Sequence, residues 1–199
     1  MGLGRSLGNL FRNWHGADSE ATHQAQHHRV APHRVTQDDA LIYLEKLTSQ
    51  YRLTRKLVFA VADAESSVNP SMEPQHNSYK DRHGHPHHST DYGIMQINDK
   101  TWFGKSVKDA NGHPFKITEE VKHDWKANAR AGVAILRHAY DLAALSGGPG
   151  TTPEDIAIDT YSVYNHGEGS WHKFLGKRPD GLPKDNANRN FAVKYKQWP

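Results

Sequence analysis

Cysteine is absent from the 199-residue chain. That excludes disulfides, thiolate metal ligands and a cysteine nucleophile, and it removes one common clue to the compartment. Long hydrophobic runs are also missing. No stretch approaches the roughly 18 apolar residues of a membrane-spanning helix, so no transmembrane segment is expected. An excess of one charge is lacking too: 25 Lys and Arg against 22 Asp and Glu leave a formal +3. The basic residues are scattered and form no recognisable nucleic-acid module, so nucleic acid is not an expected partner. Apolar residues make up only 36%, yet five Trp, eight Tyr and six Phe suffice for the core of one ordinary domain. Histidine, by contrast, is abundant, with fifteen copies. Since imidazole ordinarily titrates near 6.5, the surface should turn strongly cationic towards pH 5–6 and then favour anionic polymers.

The first 34 residues are rich in His, Gly, Gln, Asn and Arg. They read as a flexible polar leader or tail, with residues 35–199 as the folded domain. Leu7, Leu10, Phe11 and Trp14 fall at i, i+3, i+4 and i+7. That spacing is either a short amphipathic helix or chance within a polar tail. Met-Gly-Leu-Gly-Arg-Ser is a loose match to a myristoylation start at Gly2. The apolar stretch of about 7–15 residues that a secretory signal needs is not legible.

From Thr36 onward the pattern is helical. Thr36 with Asp39 is a helix start, followed by Leu41, Ile42, Leu44 and Leu47. Thr54 opens a second helix, apolar on nearly every side and running to about Ser66, so it belongs in the core. Residues 71–90 and 104–116 read as loops, with Tyr92–Asn98 as a short strand or irregular segment between them. Thr118 and Asp124 are further helix starts, and Gly132 inside the Asp124 helix implies a close helix–helix approach. Thr152-Pro153-Glu154-Asp155 begins a helix that stops at Asn165-His166-Gly167, and a last helix is expected over residues 188–197. The fold class is therefore mainly α, with at most a small sheet.

One carboxylate stands out. Glu65 closes the most apolar helix, in Ala62-Asp63-Ala64-Glu65-Ser66-Ser67-Val68-Asn69-Pro70. A carboxyl there loses hydration, its pKa rises, and it can act as a general acid. Two later segments give it company: Ser89-Thr90-Asp91-Tyr92-Gly93-Ile94-Met95-Gln96-Ile97-Asn98 and Tyr161-Ser162-Val163-Tyr164-Asn165-His166-Gly167. Between them come Asn128 and Gly132, followed by Ile135-Leu136. In this order the four pieces resemble the catalytic domain of the soluble lytic transglycosylases over about residues 40–175. The departure is Val163, where that family usually has Ala. The Asp-Tyr-Gly-Ile-Met-Gln-Ile-Asn stretch looks most like the small transglycosylases of bacterial secretion systems and conjugation machines.

The resemblance implies a lysozyme-like fold of the goose type and a peptidoglycan substrate. Glu65 would be the single acid/base between N-acetylmuramic acid and N-acetylglucosamine, closing a 1,6-anhydro ring with no cofactor and no metal. Gln96 would hydrogen-bond in the cleft. Tyr164 would place its hydroxyl near Glu65 or the substrate N-acetyl group, and Asn165 would fix the loop or contact sugar. Met95 and Ile94 would form the cleft wall, Ser89 or Thr90 would assist, and His166 would touch substrate. The implied partners are glycan strands and a secretion or phage machine. The implied location is the periplasm or the extracellular wall, reached by an unidentified route.

Alternatives stay open. An inverting hydrolase of the same fold needs a second carboxylate about 6.5–9.5 Å from the acid. Asp91 is the best candidate, with Asp99 next, while Asp63 sits two residues from Glu65 and points elsewhere on a helix. Asp91 also suits a turn-capping role. His76, His83, His85, His87 and His88 crowd one segment. They read as a solvated loop, a pH-dependent grip on anionic wall, or a metal-binding tract, although no zinc-hydrolase spacing is present. Trp102, Trp125 and Trp171 are either sugar platforms or core. A non-catalytic wall- or metal-binding module completes the set.

Overall fold

The structure, a computed structural model, describes residues 34–80, 83–177 and 181–199. The leader, the Leu7–Trp14 spacing and the Gly2 motif lie outside the described residues. Local chemistry sets the helix starts. Helix α1 (Gln37–Tyr51) begins with a capping box in which Thr36 and Asp39 satisfy each other's backbone N–H groups. Helix α2 (Arg55–Ser66) is capped by Thr54, whose hydroxyl accepts from Leu57 N at 3.3 Å. Every residue from Leu57 to Ala62 is buried, as its all-round apolar pattern predicts.

After α2 come three antiparallel strands, β1 (Gln75–Lys80), β2 (Pro86–Tyr92) and β3 (Ile97–Asn98), paired in that order. Helix α3 (Asp99–Trp102) leads to a second hairpin, β4 (Ser106–Lys108) and β5 (Pro114–Lys116). Thr118 precedes only a 3-10 turn (Glu119–Lys122) and makes no capping bond. Helix α4 (Trp125–Ser146) is capped by Asp124 and supplies the largest share of the core, from Ala129 through Leu136 to Ala143. Helix α5 (Pro153–His166) opens with a second capping box, Thr152 with Asp155, and Pro153 in its first turn. A 3-10 turn (Trp171–Phe174) and helix α6 (Asn186–Gln197), capped by Asp185, complete the chain. Residues 34–199 form one compact unit.

The architecture is mainly helical with small antiparallel sheets, a lysozyme-like arrangement. Three sequence expectations are corrected. The 71–90 and 104–116 segments are hairpins rather than loops. All six positions of β1 are exposed, so no apolar alternation could announce it. Gly132 does not serve a helix–helix approach: a Cβ there would lie 2.3 Å from Met95 Cβ, so the glycine makes room for the β2–β3 turn.

Candidate active site

The site is assembled around the turn that joins β2 to β3, residues 93–96. Gly93 has φ +69°, and a Cβ on it would meet Asn128 at 2.6 Å, so this position needs glycine. Gln96 also lies in the left-handed region, at φ +44°. Three groups from three helices hold the turn. From α2, the Ser66 hydroxyl donates to Ile94 O at 2.8 Å. From α4, the fully buried Asn128 accepts from Met95 N at 2.9 Å and donates to Tyr92 O at 2.7 Å and Val121 O at 3.0 Å. From α5, the Tyr164 hydroxyl donates to Met95 O at 2.6 Å. Each group satisfies a main-chain atom that would otherwise be stranded in the interior. Ile94 and Met95 are themselves fully buried, so they pack more than they line a cleft.

Glu65 precedes Ser66, so the bolt between α2 and the turn also positions the carboxyl. The helix ends immediately afterwards. Ser67 and Val68 both take positive φ, 56° each, and Val68 N returns to Ala62 O at 3.1 Å. A buried β-branched residue in that conformation is strained and persists because its side chain fills the core. Glu65 keeps partial solvent contact, yet its Oε1 is sealed and receives no hydrogen bond among the described residues. Loss of hydration dominates its electrostatics. Hydrogen bonding from Tyr161 opposes that effect, the charge of Asp91 adds to it, and the pKa is pushed up to about 7. Near neutral pH the carboxyl is therefore divided between its protonated and ionised forms, and it can both give and take a proton.

Both tyrosines of α5 face this carboxyl. Burial and the Glu65 charge raise Tyr161 and Tyr164 far above the ordinary phenol range, so both stay neutral. Their roles differ. The Tyr164 proton is committed to Met95 O, whereas Tyr161 is the neighbour whose hydroxyl favours ionised Glu65 and so holds its pKa down. Tyr161 also stacks on Phe191 of α6 at 4.5 Å, which fixes its ring. Sequence reasoning assigned no role to Tyr161. Its i, i+3 relation to Tyr164 on one helix face was the available signal.

Asp91 lies near enough to influence Glu65, but its oxygens are occupied. Asn77 Nδ2 donates to one at 2.6 Å and Asn98 Nδ2 to the other at 2.7 Å. Asn98 also donates to Ser89 Oγ at 3.0 Å and caps α3 through Thr101 N. Ser89, Asp91, Asn77 and Asn98 thus form one polar ladder on the sheet. Thr90 faces the other side, against His76 Nδ1 at 3.1 Å, while its N–H donates to Asp99 at 3.0 Å. Gln96 turns its amide back onto Gly93 O at 2.8 Å. Asn165 is exposed at the end of α5. The His166 ring stacks on Phe174 at 3.6 Å and faces Asp185 at 3.4 Å. Asp63 is bonded to Lys194 and Trp198 of the C-terminal region, away from Glu65.

An open groove of about 1090 Å³ lies beside Tyr164, lined among others by Trp102, Lys105, Arg137, His138 and Glu168, and Glu65, Asp91 and Gln96 are not among its lining residues. Of Trp102, Trp125 and Trp171, it is Trp102 that lines this groove. Trp171 is buried in the core, and Trp125 packs edge-on against Tyr43 at 5.4 Å. Among the described residues no three His, Asp or Glu side chains converge as a metal site would need.

Comparison with known proteins agrees with this geometry. A family model described as the transglycosylase SLT domain matches residues 42–186, a span that includes Glu65, the clamped turn, Asn128 and both tyrosines. No curated protein matches, and no solved structure matches. With most of the chain inside that match, the protein belongs to the transglycosylase SLT domain family, whose lytic transglycosylase-type function is the cleavage of peptidoglycan.

Proposed function

We propose that the chain cleaves the bond between N-acetylmuramic acid and N-acetylglucosamine and closes a 1,6-anhydro ring on the muramic residue, with Glu65 as the only acid/base. The observation that carries this reading is the contrast between the two carboxyls of the site. Glu65 is desolvated, has no hydrogen-bond partner on Oε1 among the described residues, and has its pKa raised to about 7. Asp91 is bound by two side-chain amides, as a structural carboxylate would be.

In the proposed sequence, Glu65 gives its proton to the glycosidic oxygen as the bond to C1 breaks. The substrate's own N-acetyl oxygen covers the developing charge at C1. Ionised Glu65 then takes the proton of the C6 hydroxyl, O6 bonds to C1, and the acid is regenerated. No water is consumed. Tyr161 steadies the carboxylate between the two transfers, because a neutral phenol can only donate to it. Tyr164 acts through the turn, fixing Met95 and with it the cleft wall. Action at the periplasmic or extracellular wall, with delivery by a secretion or phage machine, is part of this proposal.

Hydrolysis is the second reading, favoured by the reach of the Asp91 charge to Glu65. Mass analysis of digested peptidoglycan separates the two: anhydro-muropeptides support the lyase reading, and reducing ends sink it. Glu65→Gln is expected to abolish wall clearing, and normal clearing by that variant refutes the assignment. Asp91→Asn is expected to keep substantial activity. A loss comparable to that of Glu65→Gln transfers the reading to the hydrolase.

A further inference from the structure

The pairing of β1 with β2 sets Asn77 opposite Ser89 and Tyr79 opposite His87. Alternation along each strand then puts Tyr79, Asn77 and Gln75 on the same face as His87, Ser89 and Asp91. This is the face of the polar ladder that ends beside Glu65. At the outer end of that face the Tyr79 and His87 rings are stacked, 5.2 Å apart and 13° from parallel. Tyr79 is 59% exposed, one of the few large apolar side chains left in water among the described residues. At about 3.4 Å per residue, His87 stands about 14 Å along β2 from Asp91.

We propose that the Tyr79–His87 pair is a stacking platform for the glycan strand of peptidoglycan, beyond the sugars at the cleaved bond. The proposal rests on the peptidoglycan-cleaving reading of Glu65. The occupant follows from continuity and from chemistry. The face leads without a break from the carboxyls to the platform. A sugar ring offers an apolar face to an aromatic ring and a rim of hydroxyls to polar neighbours. Between acid and platform stand groups suited to that rim. The Ser89 hydroxyl accepts from Asn98 and keeps its own proton to donate, and Asn77 keeps its Oδ1 to accept. The fold itself does not need the platform, since neither ring contributes to the core. A hairpin with an exposed aromatic pair at its far end is instead an arm that extends the surface on which a long polymer lies.

The test uses the full chain carrying Glu65→Gln, which binds without cutting, and measures its retention on insoluble sacculi and its affinity for a short soluble muropeptide. Adding Tyr79→Ala is expected to weaken sacculus binding about fivefold, the scale of one lost ring stack, and by clearly more than it weakens muropeptide binding. Tyr79→Trp restores sacculus binding. In the active background, Tyr79→Ala raises KM on sacculi and not kcat. Equal sacculus binding with and without Tyr79, or a failure of Trp to restore it, overturns the platform. The product analysis reports separately on the cleavage reading: reducing ends with Tyr79-dependent binding refute the lyase step and leave the platform standing.

Discussion

The β2–β3 turn and the β1–β2 hairpin belong to one sheet, and they are stabilised in opposite ways. The turn is largely buried, takes left-handed backbone at Gly93 and Gln96, and is held by Ser66, Asn128 and Tyr164 from three different helices. The hairpin is exposed along the whole of β1 and is held by its backbone ladder and by pairs such as Asn77 with Asp91 and His76 with Thr90. The first kind of structure cannot change without exposing stranded main-chain groups. The second can vary freely, provided strand pairing survives. A polymer-cutting domain has use for both: a rigid seat for the acid, and an adaptable arm for the strand.

The largest effect should come from breaking the seat. Asn128→Ala leaves Met95 N–H and the Tyr92 and Val121 carbonyls without partners in the interior. It should cost about 3–5 kcal/mol, read by denaturant unfolding. A loss below about 1 kcal/mol would show that the turn is not clamped. Next comes the acid itself. Because the Glu65 pKa in the folded chain lies above its unfolded value, ionising it opposes folding, so the destabilisation grows as pH rises from about 4.5 to 7. Glu65→Gln should therefore be more stable than the parent above pH 7, on the order of 3 kcal/mol, and the advantage should vanish towards pH 4. Thermal melts across that range check it, and a pH-independent difference would contradict the desolvated carboxyl.

Two milder substitutions should move the alkaline limb of kcat/KM in opposite directions. Tyr161→Phe removes a bond that favours ionised Glu65 and should shift the limb to higher pH. Asp91→Asn removes a charge that disfavours it and should shift the limb lower. Shifts in the same direction would contradict the arrangement of the two neighbours. The smallest effect belongs to the arm: Asn77→Ala, at an exposed strand position, should change stability by no more than about 0.5–1 kcal/mol. A loss rivalling that of Asn128→Ala would erase the distinction between arm and seat.

Which of these features could be read from the residue order follows from their range. Helix starts are local, and Thr36 with Asp39, Thr54, Asp124, and Thr152 with Asp155 all cap as their chemistry demands. The apolar sweep of α2 placed Glu65 at the end of a buried helix, and that is where it stands. The hairpin was illegible because both its faces meet water, so hydrophobic periodicity carries no signal there. Tyr161 passed unremarked beside Tyr164 because two phenols three residues apart look equivalent until a fold gives one of them Met95 O and the other Glu65. His166 likewise sits in a promising motif, and its ring is held by Phe174 and Asp185, eight and nineteen residues further on.

Sequence alone determined the helical class, the helix boundaries near their caps, and the identity of the one carboxyl placed to lose its water. Tertiary structure decided how far that carboxyl's pKa rises, which neighbour donates to it, and why Gly93 and Gly132 must lack side chains. The reason is physical: capping and amphipathicity act within a turn or two of chain, whereas desolvation, charge coupling and close packing depend on atoms that only the completed fold brings together.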